Sequence, residues 1–258
     1  MLKIACIGCS WTEGVNIHHT HTYPYILHEK LLEQNVKNQV INAGRCAASL
    51  DYYPYIIQFL EKEFNPDYYI IQLTTHDRML LGLEAHDKKL DFGYDTTHYD
   101  GYIKIWDNNK HWVHLSPGLG AGSSKHSNEA VKLQFADAFD EIYKKHFVKE
   151  NISPNKSEDE VKNFFGLWWE HHMNSLVAKD KYYQNVDTIH KMIEHKKSKT
   201  FYWINYRPRP QAEGYNFPVV QDMFKDFDQL TIDKGMHFGK PGNLRLVDWL
   251  TPDIIGKV

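Results

Sequence analysis

The chain has only three cysteines in 258 residues, Cys6, Cys9 and Cys46. So few, and an odd number, do not make a disulfide framework, and they favour a reducing compartment. No stretch approaches the run of about 18 apolar residues that a membrane-spanning helix needs. The first residues, MLKIACIGCS, hold an apolar run too short for a secretory signal. A cytoplasmic protein with no membrane partner is expected. Positive charge is not in excess either, with 30 Lys and Arg against 33 Asp and Glu and a formal net charge of −3. That balance argues against a nucleic-acid partner, and His195-Lys196-Lys197 reads as a solvated helix end. Internal repeats and low-complexity tracts are missing as well. What remains is ordinary for a globular protein, at 42% hydrophobic and 24% charged residues. The length suits one large domain over 1–258. Aromatics are plentiful at 14%, and there are 16 histidines; large aromatics are more often core than ligand site.

The first third of the chain alternates strand and helix signals. Leu2 to Gly8 is apolar and ends in glycine, as a buried strand does. Thr22 to Gln34 places Tyr25, Leu27, Leu31 and Leu32 at helical spacing. Lys37 to Ala43 reads as a second strand. Ser49 to Phe64 reads as a helix with Ser49 as its cap and Ile56, Ile57, Phe59 and Leu60 inward. Asn65-Pro66-Asp67 breaks it, and Tyr68 to Leu73 is a third buried strand. Strand–helix–strand units at this spacing imply a parallel sheet. Tyr102 to Leu115 alternates like a hairpin turning at Asp107-Asn108-Asn109. Pro117 to Ser124 reads as a loop, and Glu129 to Phe147 as a helix. Ser157 to Glu160 fits a capping box ahead of Val161, Phe164, Phe165 and Trp168. Tyr182 to His195 is amphipathic, Thr200 to Asn205 is strand-like, and Pro241 suits the first turn of a final helix through Leu250. Residues 80–199 therefore read as a helical and hairpin insertion that forms a cleft within one α/β core.

Ligands of an open parallel sheet bind at the carboxyl ends of its strands. Polar segments follow the three early strands: Gly8 to Gly14 (GCSWTEG), Asn42 to Ser49 (NAGRCAAS) and Thr74 to Arg78 (TTHDR). A fourth, Asp233 to Gly242 (DKGMHFGKPG), follows the last strand. Their convergence on one edge is expected. It would supply what acyl transfer needs: a hydroxyl with an adjacent base, a carboxylate to orient that base, and donors for the oxyanion. Ser10 is the hydroxyl, His237 the base and Asp233 the carboxylate. The Ser10 N–H, a backbone N–H at Ala47 and the His76 side chain are the candidate oxyanion donors.

These segments resemble the four sequence blocks of the SGNH (GDSL-like) hydrolase superfamily. Gly8, Ser10, Thr12 and Gly14 fall on the GDSxTxG block. Asn42, Gly44 and Ser49 match much of the glycine block. Gln72-Leu73 and Asp77 resemble the third block, and Asp233 and His237 the last. The resemblance implies an α/β fold, a three-layer α/β/α sandwich with a central, mostly parallel, flavodoxin-like sheet. It also implies a serine hydrolase of the esterase type, possibly a carbohydrate O-deacetylase, with a small-molecule or carbohydrate ester as substrate. Neither metal nor organic cofactor is implied.

The chain also departs from that pattern. Cys9 replaces the aspartate before the serine, Ala47 the oxyanion glycine, Thr74 the third-block glycine and His76 the asparagine. Asp233 lies four residues before His237 rather than three. These departures motivate a second reading, a catalytically inactive SGNH-shaped binding or structural module, possibly glycan-binding. Ser10 alone would read as a turn or capping residue. Cys6 and Cys9 form a C-x-x-C string, but Cys6 falls inside a strand, where a redox or metal site is not expected. The histidines at 18, 19 and 21, the His171-His172 pair and the His111 and His114 pair match no established zinc spacing.

Overall fold

The structure is a computed structural model describing residues 1–46, 48–74, 78–82, 92–95, 101–108, 112–115, 176–204, 217–232 and 237–256. The chain opens with β1 (Leu2–Gly8), the short helix α1 (Ser10–Glu13), α2 (Tyr23–Glu33), β2 (Asn38–Gly44), α3 (Tyr53–Glu63) and β3 (Tyr68–Leu73). Then come β4 (Met79–Gly82), β5 (Phe92–Asp95), β6 (Tyr102–Asp107) and β7 (Trp112–Leu115). The last elements are α4 (Leu176–Met192), β8 (Thr200–Ile204), α5 (Val220–Met223) and α6 (Lys240–Ile255).

Six strands form the main sheet in the order β5-β6-β2-β1-β3-β8. All neighbouring pairs are parallel except β5 with β6. The stretch β2-β1-β3-β8 has the order of flavodoxin-like doubly wound sheets, which reverse direction beside the first strand. Side chains of a strand alternate between faces, and here both faces are covered. Ala5 and Ile7 join a core with Ile56, Ile57 and Leu60 of α3 and Val186 and Ile189 of α4. Ile4 and Cys6 join a second core with Leu27 and Leu31 of α2 and Leu246, Val247 and Leu250 of α6. The result is the expected three-layer α/β/α sandwich. Each such Leu or Ile contributes about 1.5–3 kcal/mol on full burial. Asp51 ties α4 down by accepting from Lys181 (2.7 Å) and Asn185 (2.6 Å).

Three expectations are corrected. Tyr102 to Leu115 is not a hairpin. β6 lies between β2 and β5, so both its edges are occupied, and β7 pairs with β4 in a separate two-stranded ribbon. Alternation reports which face of a strand is buried, not which strand meets its edge. Ser49 is not a cap: its carbonyl accepts the Tyr52 N–H (3.1 Å) in a turn, and α3 starts at Tyr53 with Pro54 in its first turn. Proline's fixed φ suits that position. The last helix runs past Leu250 to Ile255, through Pro252. Burial of Ile254 in the second core holds that final turn despite the lost backbone bond. The expected loop at 117–124, and the helices expected at 129–147 and after 157–160, lie outside the described residues.

Candidate active site

Ser10 lies two residues beyond Gly8, the buried end of β1, and directly follows Cys9. Cys9 is extended (φ −96°, ψ −151°) and caps α1, whose four residues close at Gly14 in the left-handed region (φ 82°). The turn is tightly bonded: the Thr12 and Glu13 N–H groups donate to the Cys9 carbonyl at 3.0 and 2.9 Å. Gly14 and Val15 both donate to the Ser10 carbonyl at 3.0 Å. Beside it, β2 ends at Gly44, where an added Cβ would lie 2.2 Å from the Glu13 nitrogen. Only glycine lets the Ser10 turn sit so close to β2.

The loop after β2 and the strand β3 are fastened to that turn. Arg45 N–H donates to the Gly8 carbonyl (3.0 Å), and Cys46 N–H donates to the Glu13 carboxylate. Asn42 Oδ1 accepts the Gly44 N–H (3.0 Å), while its amide donates to the Tyr102 hydroxyl (3.1 Å). Arg78 reaches from beyond β3 to the Ala48 carbonyl (3.4 Å). From β3 itself, Gln72 accepts the Cys9 N–H (3.1 Å) and the Thr12 hydroxyl (2.8 Å). Sequence reasoning noted Gln72 only as part of a block and assigned it no role.

His237 enters from the segment before α6. Its carbonyl accepts the Ile232 N–H (2.8 Å), and Gly239 N–H donates to the Leu230 carbonyl (2.9 Å). Asn243, buried in the first turn of α6, donates to the Gly239 carbonyl at 3.1 Å. Phe238 packs edge-on against Trp11 with ring centroids 4.6 Å apart, and Phe227 stacks on Trp11 at 6.1 Å. These contacts carry the His237 ring to Ser10. Its Nε2 lies 2.9 Å from the Ser10 Oγ, a hydrogen bond between residues 227 positions apart. Both residues are 3% exposed. If the serine hydroxyl donates, the neutral ring must carry its proton on Nδ1.

The structure thus brings together Ser10, His237, the loop end at Gly44 to Cys46 and Gln72 near the end of β3. Asp233, Ala47 and His76 lie outside the described residues. Cys6 and Cys9 are both free and buried, and burial pushes the Cys6 thiol up. His18, His19 and His21 gather their rings, with His18 and His19 centroids 4.1 Å apart. Among the described residues no three His, Cys, Asp or Glu side chains are grouped to hold a metal ion. No helix among them is long and apolar enough to cross a membrane.

No protein-family model matches the chain, and no curated protein sequence matches it. Among solved structures the chain is similar to TesA, at 10% identity and a TM-score of 0.41, covering 98% of this chain and 97% of that one. It is also similar to an acetyl xylan esterase, at 12% identity and a TM-score of 0.37, covering all of both chains. Overlaps this loose transfer no property of either protein.

Proposed function

We propose that the protein is a serine hydrolase acting on a carboxylic ester. The observation that carries this reading is the 2.9 Å hydrogen bond between Ser10 Oγ and His237 Nε2. A serine hydroxyl is a weak nucleophile until a positioned base takes its proton, and about 3 Å is the reach such a pair requires. In this reading Ser10 Oγ bonds to the ester carbonyl carbon as its proton passes to His237 Nε2. His237 then protonates the departing alcohol, leaving an acyl group on Ser10. A water gives its proton to His237 and attacks that acyl group, which releases the acid and restores the Ser10 hydroxyl. Asp233 orients His237 through Nδ1.

The Ser10 N–H sits at the first position of α1, where no intrahelical acceptor is available. It serves the oxyanion together with the Ala47 N–H and the His76 side chain. One such donor is commonly worth about 3 kcal/mol of barrier. The substrate class proposed, following the resemblance in sequence, is a small-molecule or carbohydrate ester, with an O-acetyl sugar as the first to try. Within the 80–199 region of the single domain, β5 and β6 extend the main sheet and α4 covers one of its faces, and the cleft is assigned to the remainder.

A second reading, a binding module without catalysis, is favoured by one feature, the near-complete burial of both Ser10 and His237. Treatment with a fluorophosphonate probe separates the two. The hydrolase gives stoichiometric labelling at Ser10 that vanishes in Ser10→Ala; the module gives none.

A further inference from the structure

We propose that Gln72 is the positioning residue of the Ser10 turn, an inference that rests on the hydrolase reading above. All six residues of β3 are buried, and Gln72 is wholly so. An amide in such a strand is destabilising unless it is hydrogen-bonded. Gln72 satisfies that demand entirely on the turn that carries Ser10. Its Oε1 accepts the Cys9 N–H at 3.1 Å and the Thr12 hydroxyl at 2.8 Å, and its Nε2 donates to Cys9 Sγ at 3.0 Å. The bonds therefore grip the residue before Ser10 and the residue two after it.

The orientation of the amide is fixed by chemistry. The Cys9 N–H can only donate, so Oε1 must face it, and Nε2 then falls on the sulfur. Because Thr12 gives its only hydroxyl proton to Gln72, Tyr23 is the donor in the 3.4 Å contact between Tyr23 and Thr12. The slot for the amide is left open by Gly8, where a Cβ would lie 2.5 Å from Gln72 Oε1. Gln72 acts through the turn: it holds Ser10 Oγ where the 2.9 Å bond to His237 forms. A misplacement of about 1 Å in such a pair costs about 10²-fold in rate.

The test uses the full chain and three variants, Gln72→Met, Gln72→Glu and Thr12→Val. The readouts are the second-order rate constant of fluorophosphonate labelling, the fraction labelled at completion, and Tm. Gln72→Met matches the side-chain length without hydrogen bonds. It is expected to lower the rate constant by about 10²-fold while the labelled fraction stays that of the wild type. Gln72→Glu keeps acceptor oxygens at the same reach and is expected to recover most of that loss. Thr12→Val, nearly isosteric, removes one neutral bond and is expected to slow labelling by about 5-fold; it decides the matter if Gln72→Met does not fold. A purely structural role predicts a smaller labelled fraction with an unchanged rate constant, and that result overturns the inference. Wild-type protein that labels at Ser10, beside variants that label equally fast, removes the role of Gln72 alone. Wild-type protein that does not label removes the hydrolase reading and this inference with it.

Discussion

The two halves of the Ser10–His237 pair are held by different forces. Ser10 sits in a turn tied by directional bonds, from Gln72 of β3, from the Cys9 and Ser10 carbonyls and from the loop beyond Gly44. His237 sits beside a wall of rings, Phe227, Phe238 and Trp11, with the Asn243 amide donating to the Gly239 carbonyl behind it. Hydrogen bonds fix direction but add only about 1 kcal/mol each to stability. Apolar burial adds more stability and fixes direction less sharply. Changes on the base side are therefore expected to cost stability first, and changes on the nucleophile side to cost rate first.

The largest effect is expected at Phe238, which is 3% exposed and touches Trp11, Phe224 and Phe227. Phe238→Ala should lower the unfolding free energy by about 3–5 kcal/mol, measured by urea denaturation. A loss under about 1 kcal/mol would mean that the ring wall does not hold the base side. Next comes Gly44→Ala. Its methyl must displace the Glu13 backbone, which is 2.2 Å from the Cβ position. Overpacking of this kind costs about 1–3 kcal/mol, and labelling at Ser10 should slow beyond what the lost folded fraction explains. Unchanged labelling would show that the turn tolerates displacement.

The smallest effect is expected far from both halves, at Glu61. Burial raises its carboxyl, but bonds from Lys196 at 2.9 and 3.0 Å and from Tyr69 at 2.7 Å outweigh that and leave it lowered. A lowered carboxyl stabilises the fold above its unfolded value, about 4.3, and that contribution is lost as pH falls through the folded value. The pair is partly exposed, so Glu61→Gln should cost under about 1 kcal/mol at pH 7. The difference from wild type should shrink towards pH 3, with the labelling rate of the variant equal to that of wild type at each pH. A growing difference at low pH would reverse the sign assigned to Glu61.

The fold was legible where burial alone decides structure. Leu2–Gly8 and Tyr68–Leu73 are mostly apolar runs, interrupted by Lys3 and Gln72, because both faces of each strand are covered, and their bounds in the structure are those read from sequence. Pairing was not legible. β6 looks like half of a hairpin, and nothing in its own residues tells that β2 already occupies one edge. The serine and histidine segments were legible as motifs, since glycines and short polar residues mark strand ends. Gln72 was visible as a residue but its role was not, because its partner Cys9 lies 63 positions away. A lone amide within an apolar strand was the one available signal.

The central claim is that the Ser10 hydroxyl donates to an unprotonated His237 Nε2. Nitrogen-15 NMR of the histidine-labelled protein at neutral pH reads this directly, comparing wild type with Ser10→Ala. The account predicts His237 with its proton on Nδ1, and an Nε2 resonance that moves when the hydroxyl is removed while Nδ1 stays in place. A proton on Nε2, or an Nε2 resonance indifferent to Ser10→Ala, would contradict it.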